Sequence, residues 1–345
     1  MRISVAMCTF NGESLVRDEL QGFLAQTRLP DELVVCDDGS TDATVAIIEE
    51  FARDAPFTVR LHVNEANLRY TKNLEQVIGL CSGDLIVLAD WDDVWLPTKL
   101  ERMEQAAVAS EDVGLIYSDA EVVDTRLRPM GVSLWEARGF GRTKQSHVAA
   151  GRNEWLLRGH VNWTYGTTMA LNARYRPAVL PIPEEWHAED TRVGQSADTW
   201  IAVVVAGMAR IALIPEPLVR YRQHGSNESG VGRRDLMGRF RTAQANDVET
   251  FLARADRLQL AIDRLGSMTD VDPNFLEHLR RMRQHNVGRA RIARSRGARL
   301  PLVVTELLKG RYTSYSNGWR SAAADLLRPA PKETLPPSQN PETRE

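Results

Sequence analysis

Three aspartates, Asp90, Asp92 and Asp93, fall within four positions in the segment ADWDDVWLP, directly after the apolar run Leu85 to Leu88. Carboxylates crowded at the exit of a buried strand repel one another, and a hard divalent cation offsets that repulsion while leaving coordination positions for phosphate oxygens. If strand geometry persists, Asp90 and Asp92 point the same way, which suits one shared Mg²⁺ or Mn²⁺. An acidic helix N-terminus, favoured by the macrodipole, is the other account of the same residues.

A second acidic loop is VVCDDGSTD, with Asp37 and Asp38 at the end of another apolar run. A carboxylate at the edge of a nucleotide pocket accepts the imide hydrogen of uracil or thymine. Gly39 lets the chain turn before Ser40, Thr41 and Asp42 open the next helix. Turn chemistry alone, or the acidic pair of a phospho-acceptor receiver domain, also accounts for this segment. Lys72 is a candidate diphosphate contact by charge.

The elements that must hold these loops follow from periodicity. Ile3, Val5 and Met7 alternate as on a strand, and Val16, Leu20, Phe23 and Leu24 follow helical spacing. Leu33 to Cys36, then Val45, Ile48 and Phe51, repeat the pair, and so do Val59 to Val63 with Leu74, Val77, Ile78 and Cys81, before Leu85 to Leu88. Strand and helix alternating at roughly 30-residue intervals imply βαβ units and a mainly parallel sheet, whose ligands bind beyond the carboxyl ends of the strands. The loops Cys8 to Glu13, Asp37 to Asp42 and Asp90 to Asp93 would then converge on one rim. Residues 94–228 are irregular, 229–328 turn helical, and 329–345, rich in Pro, Glu, Ser and Thr, predict a disordered tail.

Taken together, MCTFNGES, Gln26-Thr27, VVCDDGSTD, Asn67 with Asn73, CSGDLIVLADWDDVWLP and YRQHGSN resemble the inverting family 2 glycosyltransferases of the GT-A fold. The wording, with GRYTSYSNGWRSAAADLL near the C-terminus, is similar to the bacterial rhamnosyltransferase-like branch. The resemblance covers residues 1–228, divided at 93 into a nucleotide-sugar half and an acceptor half. It implies an α/β fold with a mixed, mainly parallel sheet flanked by helices, and a helical C-terminal extension. It puts Thr9, Asn11 and Glu13 at the base and ribose, Asp38 on the pyrimidine with Asp37 beside it, and Asp90 and Asp92 at ribose and metal-bound diphosphate. Some members bind the metal through the equivalent of Asp93, and a histidine matching His224 can reach the metal. The implied catalytic base is Asp198, which Trp200, Ile201 and Val204 place at the opening turn of a helix; Asp190 is the second choice. Ala197 stands where members often carry histidine. Trp163, Gly166 and Thr167 match the part that faces the acceptor. The implied donor is dTDP-rhamnose or a UDP-hexose. The implied acceptor is a hydroxyl of a glycan or lipid-linked saccharide, in cell-surface polysaccharide synthesis. A nucleotide-sugar-binding module without catalysis is the alternative.

Composition sets the outer bounds. The chain has 345 residues, 43% of them hydrophobic, and a net charge of −3, values of an ordinary globular protein with no overall signal for nucleic acid. Cys8, Cys36 and Cys81 lack zinc-ligand spacing and read as small core residues in a reducing compartment. The first strand begins within two residues and no apolar run approaches ~18 residues, so the expected location is the cytoplasm, with any membrane contact peripheral. From Arg280 to Arg299 eight arginines run without an acid between them. They are either a solvated helical face or a surface for anionic lipid. No G-x-G-x-x-G follows the first strand, which disfavours a dehydrogenase. The first loop also lacks the glycine-rich, arginine-bearing turn of a nucleotidyltransferase.

Overall fold

The computed structural model describes residues 1–157, 164–186, 196–224, 246–295 and 297–328. Trp163, Asp190 and the tail 329–345 lie outside these residues. The expected alternation is present: β1 (Ile3–Thr9), α1 (Val16–Leu24), β2 (Glu32–Asp37), α2 (Thr44–Asp54), β3 (Thr58–Val63), α3 (Arg69–Leu80) and β4 (Leu85–Asp90). The four strands lie parallel in the order β3-β2-β1-β4. Helices cover both faces, so β1, β2 and β4 are buried on both sides and read as unbroken apolar runs. Ile3, Val5 and Met7 pack in one layer with Val16, Leu20 and Phe23 of α1. Ala6 and Cys8 pack in the other with Leu74, Val77 and Ile78 of α3.

The chain continues through β5 (Val94–Trp95), α4 (Lys99–Val108), β6 (Val113–Val123), β7 (Pro129–Ser133), α5 (Leu134–Arg138), α6 (Arg142–Ala149), β8 (Met169–Asn172), α7 (Arg176–Val179), α8 (Ala197–Ala206) and β9 (Arg210–Arg222). β8 runs antiparallel between β4 and β6, β9 is parallel to β6, β5 is antiparallel to β9, and β7 pairs antiparallel with β6. The sheet is therefore mixed, parallel in its first half and largely antiparallel beyond. The two reversals at β8 leave β6 and β9 running in the direction of β4. The carboxyl ends of β1, β2, β4, β6 and β9 thus share one rim, with Thr9 registered beside Asp37 and Cys8 beside Asp90. Cys8, Cys36 and Cys81 are buried free thiols, and burial pushes Cys36 up to about 11 and Cys81 up to about 12.

The last third forms α9 (Val248–Gly266), α10 (Pro273–Arg294), α11 (Arg299–Leu308), α12 (Arg311–Tyr315) and α13 (Trp319–Leu326). Leu258, Ala261, Ile262 and Leu265 of α9 and Phe275, Leu279 and Met282 of α10 join the buried cluster that contains α8. This explains why α8 is buried on every side and apolar all round. The arginines of α10 are spread around the helix by its period and do not share one face. Arg280 and Arg281 pair with Glu277, Arg289 is buried against Asp325, and Arg291 and Arg294 are exposed. No described helix is long and apolar enough to cross a membrane.

Candidate active site

The rim is organised first by the β1 and β2 loops. The Asp37 carboxylate is buried and accepts from the Thr9 hydroxyl at 2.7 Å and from the Ser40 backbone N–H and hydroxyl at 2.7 and 2.6 Å. Asn11, at φ 48°, accepts the Thr41 N–H through Oδ1 at 2.9 Å, and Glu13 accepts the Ala43 N–H at 3.0 Å. Thr9, Asn11, Glu13 and Asp37 therefore line the rim as expected, but the bonds their side chains make tie one loop to the next. Asp38 differs. Its Oδ1 accepts from Asn64 Nδ2 at 2.9 Å and the Leu68 N–H at 2.7 Å, and no described donor occupies Oδ2. Asn67 and Asn73 brace this loop by donating to the carbonyls of Asp38 and Cys36. The Lys72 ammonium donates to Glu75 and to the Ile182 carbonyl, each at 3.2 Å.

Asp90 stands at the end of β4, half-buried, with its carboxyl pushed well up by burial and then by Asp92, Asp93 and Asp198. Asp92 Oδ2 lies 2.7 Å from His224 Nε2. Asp93 is fully buried: Oδ1 accepts the Arg222 N–H at 2.9 Å, and Oδ2 has no hydrogen-bond partner within 3.5 Å among the described residues. Crowded carboxylates with an oxygen left without a described donor fit a cation, although among the described residues no three ligand side chains converge as a ready-made cage. Trp91 lies against the first loop, and a Cβ at Gly12 would come within 2.6 Å of its ring.

Asp198 sits, nearly buried, in the first turn of α8. Tyr70 donates its hydroxyl to Oδ1 at 3.0 Å and Ser196 to Oδ2 at 3.4 Å. Gly166 lies against the same carboxylate, since a Cβ there would meet Asp198 Oδ1 at 3.1 Å and the Tyr70 hydroxyl at 3.2 Å. One group registers all of these charges: the Cys8 thiol at the end of β1 is held well above its usual range by burial, to which Cys36, Asp90, Asp38 and Asp198 add. Carboxylates from β2's loop, β4 and α8 thus all act on the thiol at the end of β1.

Beneath the cluster lie three residues that the motifs do not single out. Lys99 is fully buried, donates to the Thr167 carbonyl at 2.6 Å and sits 3.4 Å from the Trp95 ring centroid. Glu19, also buried, accepts the Trp95 N–H at 3.1 Å. Burial pushes the Lys99 ammonium down and the Glu19 carboxyl up, and each opposes the other's shift. Arg222 donates to the Asp92 carbonyl at 2.9 Å and to Asp18 at 2.7 Å, fixing the acidic loop to β9. The available signal was positional: Glu19 falls on the apolar stripe of Val16, Leu20 and Phe23, and Lys99 on that of Leu100 and Met103, where a charge requires a partner. Lys99 also places Thr167, beside Gly166, under the site. An open groove of about 850 Å³ lined by Glu111, Arg174, Tyr175, Met208 and Met268 lies at the amino-terminal end of β6, the opposite rim, and takes no part in this chemistry.

The Glycosyl transferase family 2 model matches residues 4–158, from β1 through the acidic cluster and beyond α6. Residues 4–158 are thus similar to the family 2 glycosyltransferases. The chain is similar to an uncharacterized glycosyltransferase of Nostoc sp., 26% identical over 228 residues, 66% of each protein. It is also similar to UDP-Glc:alpha-D-GlcNAc-diphosphoundecaprenol beta-1,3-glucosyltransferase WfgD of Escherichia coli, 28% identical over 122 residues, 35% of this chain and 47% of that one. The chain spans 59% to 66% of the length of the curated relatives it matches first. Residues 1–349 of TarS from S. aureus, solved with UDP-GlcNAc, align with a TM-score of 0.55 and 15% identity over 91% of this chain and 79% of that one. The chain, with its C-terminal helices, therefore shares the GT-A type of fold.

Proposed function

We propose that the protein is an inverting, metal-dependent hexosyltransferase that moves a sugar from a nucleotide-diphospho-sugar to a hydroxyl of a glycan or lipid-linked acceptor in cell-surface polysaccharide synthesis. The observation that carries this reading is the acidic rim itself: β1 sets Thr9 beside Asp37 and Cys8 beside Asp90, and Asp92 Oδ2 lies 2.7 Å from His224 Nε2. It supports a pocket with a nucleotide end, a charged middle and a base. Asp38 Oδ2 accepts the imide hydrogen of the pyrimidine, while Thr9, Asn11, Glu13 and Asp37 shape the wall against base and ribose. Asp90, Asp92 and His224 would hold Mg²⁺ or Mn²⁺, with Asp93 behind them; when bound, the cation offsets charge on the departing diphosphate.

Asp198, oriented by Tyr70 and Ser196, takes the proton of the acceptor hydroxyl. The hydroxyl oxygen attacks the anomeric carbon from the face opposite the nucleotide, the bond to the diphosphate breaks, and configuration inverts. Gly166 leaves room for the acceptor beside the carboxylate, on the side where Trp163 and Thr167 were expected. A carboxylate braced by two hydroxyls favours catalysis over a binding-only module. WfgD's UDP-Glc and the UDP-GlcNAc in TarS favour a UDP-hexose, with dTDP-rhamnose, suggested by the sequence likeness, as the competing donor.

The test is a thermal-shift panel of UDP-hexoses and dTDP-rhamnose with Mn²⁺ or with chelator, because a ligand that binds only the native state raises its melting temperature. A donor that stabilises the wild type only with metal, and that does nothing to Asp92→Ala, is the expected result. A panel without any donor-dependent shift would sink the proposal.

A further inference from the structure

The surface of α11 and α13 carries an apolar face that the transfer reaction leaves unexplained. On α11 the exposed residues include Leu300, Val304, Leu307 and Leu308, and on α13 and its C-cap they include Trp319, Leu326 and Leu327, with Ala323 half-buried between them. Both rows follow the spacing i, i+4, i+7, i+8, which is one face of a helix. Arg299, at the start of α11, donates to the carbonyl of Arg328, just past the end of α13. The two helices are therefore antiparallel neighbours whose apolar rows run side by side, with Leu307, Leu308 and Trp319 at one end and Leu300, Leu326 and Leu327 at the other. The exposure is large for such residues: 84% for Leu308, 73% for Trp319, 63% for Leu327 and 59% for Leu300. Contiguous apolar surface of this kind marks an interaction site.

The charges around this face select its occupant. From Arg280 to Arg328 the only acids are Glu306 and Asp325, and both are turned inward. Glu306 is held by His285 at 2.7 Å and Arg311 at 2.9 Å, and Asp325 by Arg289, Arg328 and Tyr312. The outer surface keeps the cations: Lys309 and Arg320 are exposed beside the apolar rows, and Arg291 and Arg294 on α10, which packs against α11. The Arg320 guanidinium lies 5.7 Å from the ring centroid of Trp319. Apolar side chains, an exposed indole and a cationic border to which the described residues 280–328 add no exposed carboxylate complement the boundary of an anionic bilayer. A second copy of the same face would set like charges against each other.

We propose that α11 and α13 dock this protein on an anionic phospholipid bilayer, the apolar rows entering the interface and Arg291, Arg294, Lys309 and Arg320 meeting the headgroups. Of the arginine run from Arg280 to Arg299, only its C-terminal part contributes. The inference stands apart from the donor chemistry, since binding is read without any nucleotide sugar.

Flotation of the full chain with vesicles of phosphatidylglycerol and phosphatidylcholine, against vesicles of phosphatidylcholine alone, tests it. The expected result is recovery with the phosphatidylglycerol vesicles that weakens as salt rises, and a blue shift of tryptophan emission that disappears in Trp319→Phe. Leu308→Glu should lower partitioning about tenfold or more, the effect of withdrawing one buried leucine, at an unchanged melting temperature because the position is exposed. Absence of flotation, equal flotation with both vesicle types, or unchanged flotation of Leu308→Glu would overturn the proposal. So would a wild-type dimer that Leu308→Glu converts to monomer while vesicles stay unbound, which would assign the face to a second copy.

Discussion

At the scale of single residues, Asp198 has the environment of a positioned base: nearly buried, in the first turn of α8, with a hydroxyl donor on each oxygen. Asp198→Asn is expected to lower kcat about 10²- to 10⁴-fold with nucleotide-sugar affinity retained, measured by steady-state kinetics beside donor titration. Full activity in that variant would remove Asp198 from the role. The places of Asp38, Asp90, Asp92, Asp198 and His224 at the ends of elements were legible because each follows an apolar run or opens one. The use of each oxygen was not. Asp37, Asn11 and Glu13 stand in the expected loops, yet nearby backbone N–H groups take their oxygens, and which N–H comes within reach depends on how two loops from different strands fold against each other. Lys99 and Glu19 escaped a motif-based reading because each is one charged letter within an apolar stripe, and only the packed structure gives it a neighbour.

At the scale of elements, α10 and α11 are joined by His285 and Glu306, with Nδ1 2.7 Å from Oε2 in the protein interior. Burial holds the His285 imidazole below its usual 6.5, and burial notwithstanding, His285 and Arg311 hold the Glu306 carboxyl below its usual 4.5. For the histidine, the unfolded chain takes up a proton more readily than the folded one, so stability falls as pH drops below about 6.5. For the carboxylate, stability present above about 4.5 is lost as pH falls further. Both act in one direction. Thermal melts at descending pH should show a decline that begins near pH 6.5 and is flattened in His285→Gln; a decline of equal steepness in that variant would count against the pair. The βαβ half was readable from periodicity because each helix presents one apolar stripe to the sheet. The second half was not, since β6 and β9 are long, shift register against each other and draw partners from distant parts of the chain.

At the scale of the whole molecule, the C-terminal helices are part of the fold's interior. Leu265 and Phe275 lie so close to Gly207, just past α8, that a Cβ there would meet Leu265 within 2.8 Å. A chain ending at residue 246 would expose the outer face of α8, where the ring of Trp200, now fully buried, lies 5.3 Å from the Arg264 guanidinium of α9. Truncation there is expected to yield aggregated or partly folded protein by circular dichroism and size-exclusion chromatography. A monomer with the full chain's melting behaviour would contradict this. The sharing of one core by α8, α9 and α10 also governs how the molecule can be recombined. A chimera that exchanges the N-terminal strands and their loops can inherit a new donor preference from another parent, but a splice between α8 and α9 divides one interior between two ancestries. The block that carries Asp198 has to be inherited whole.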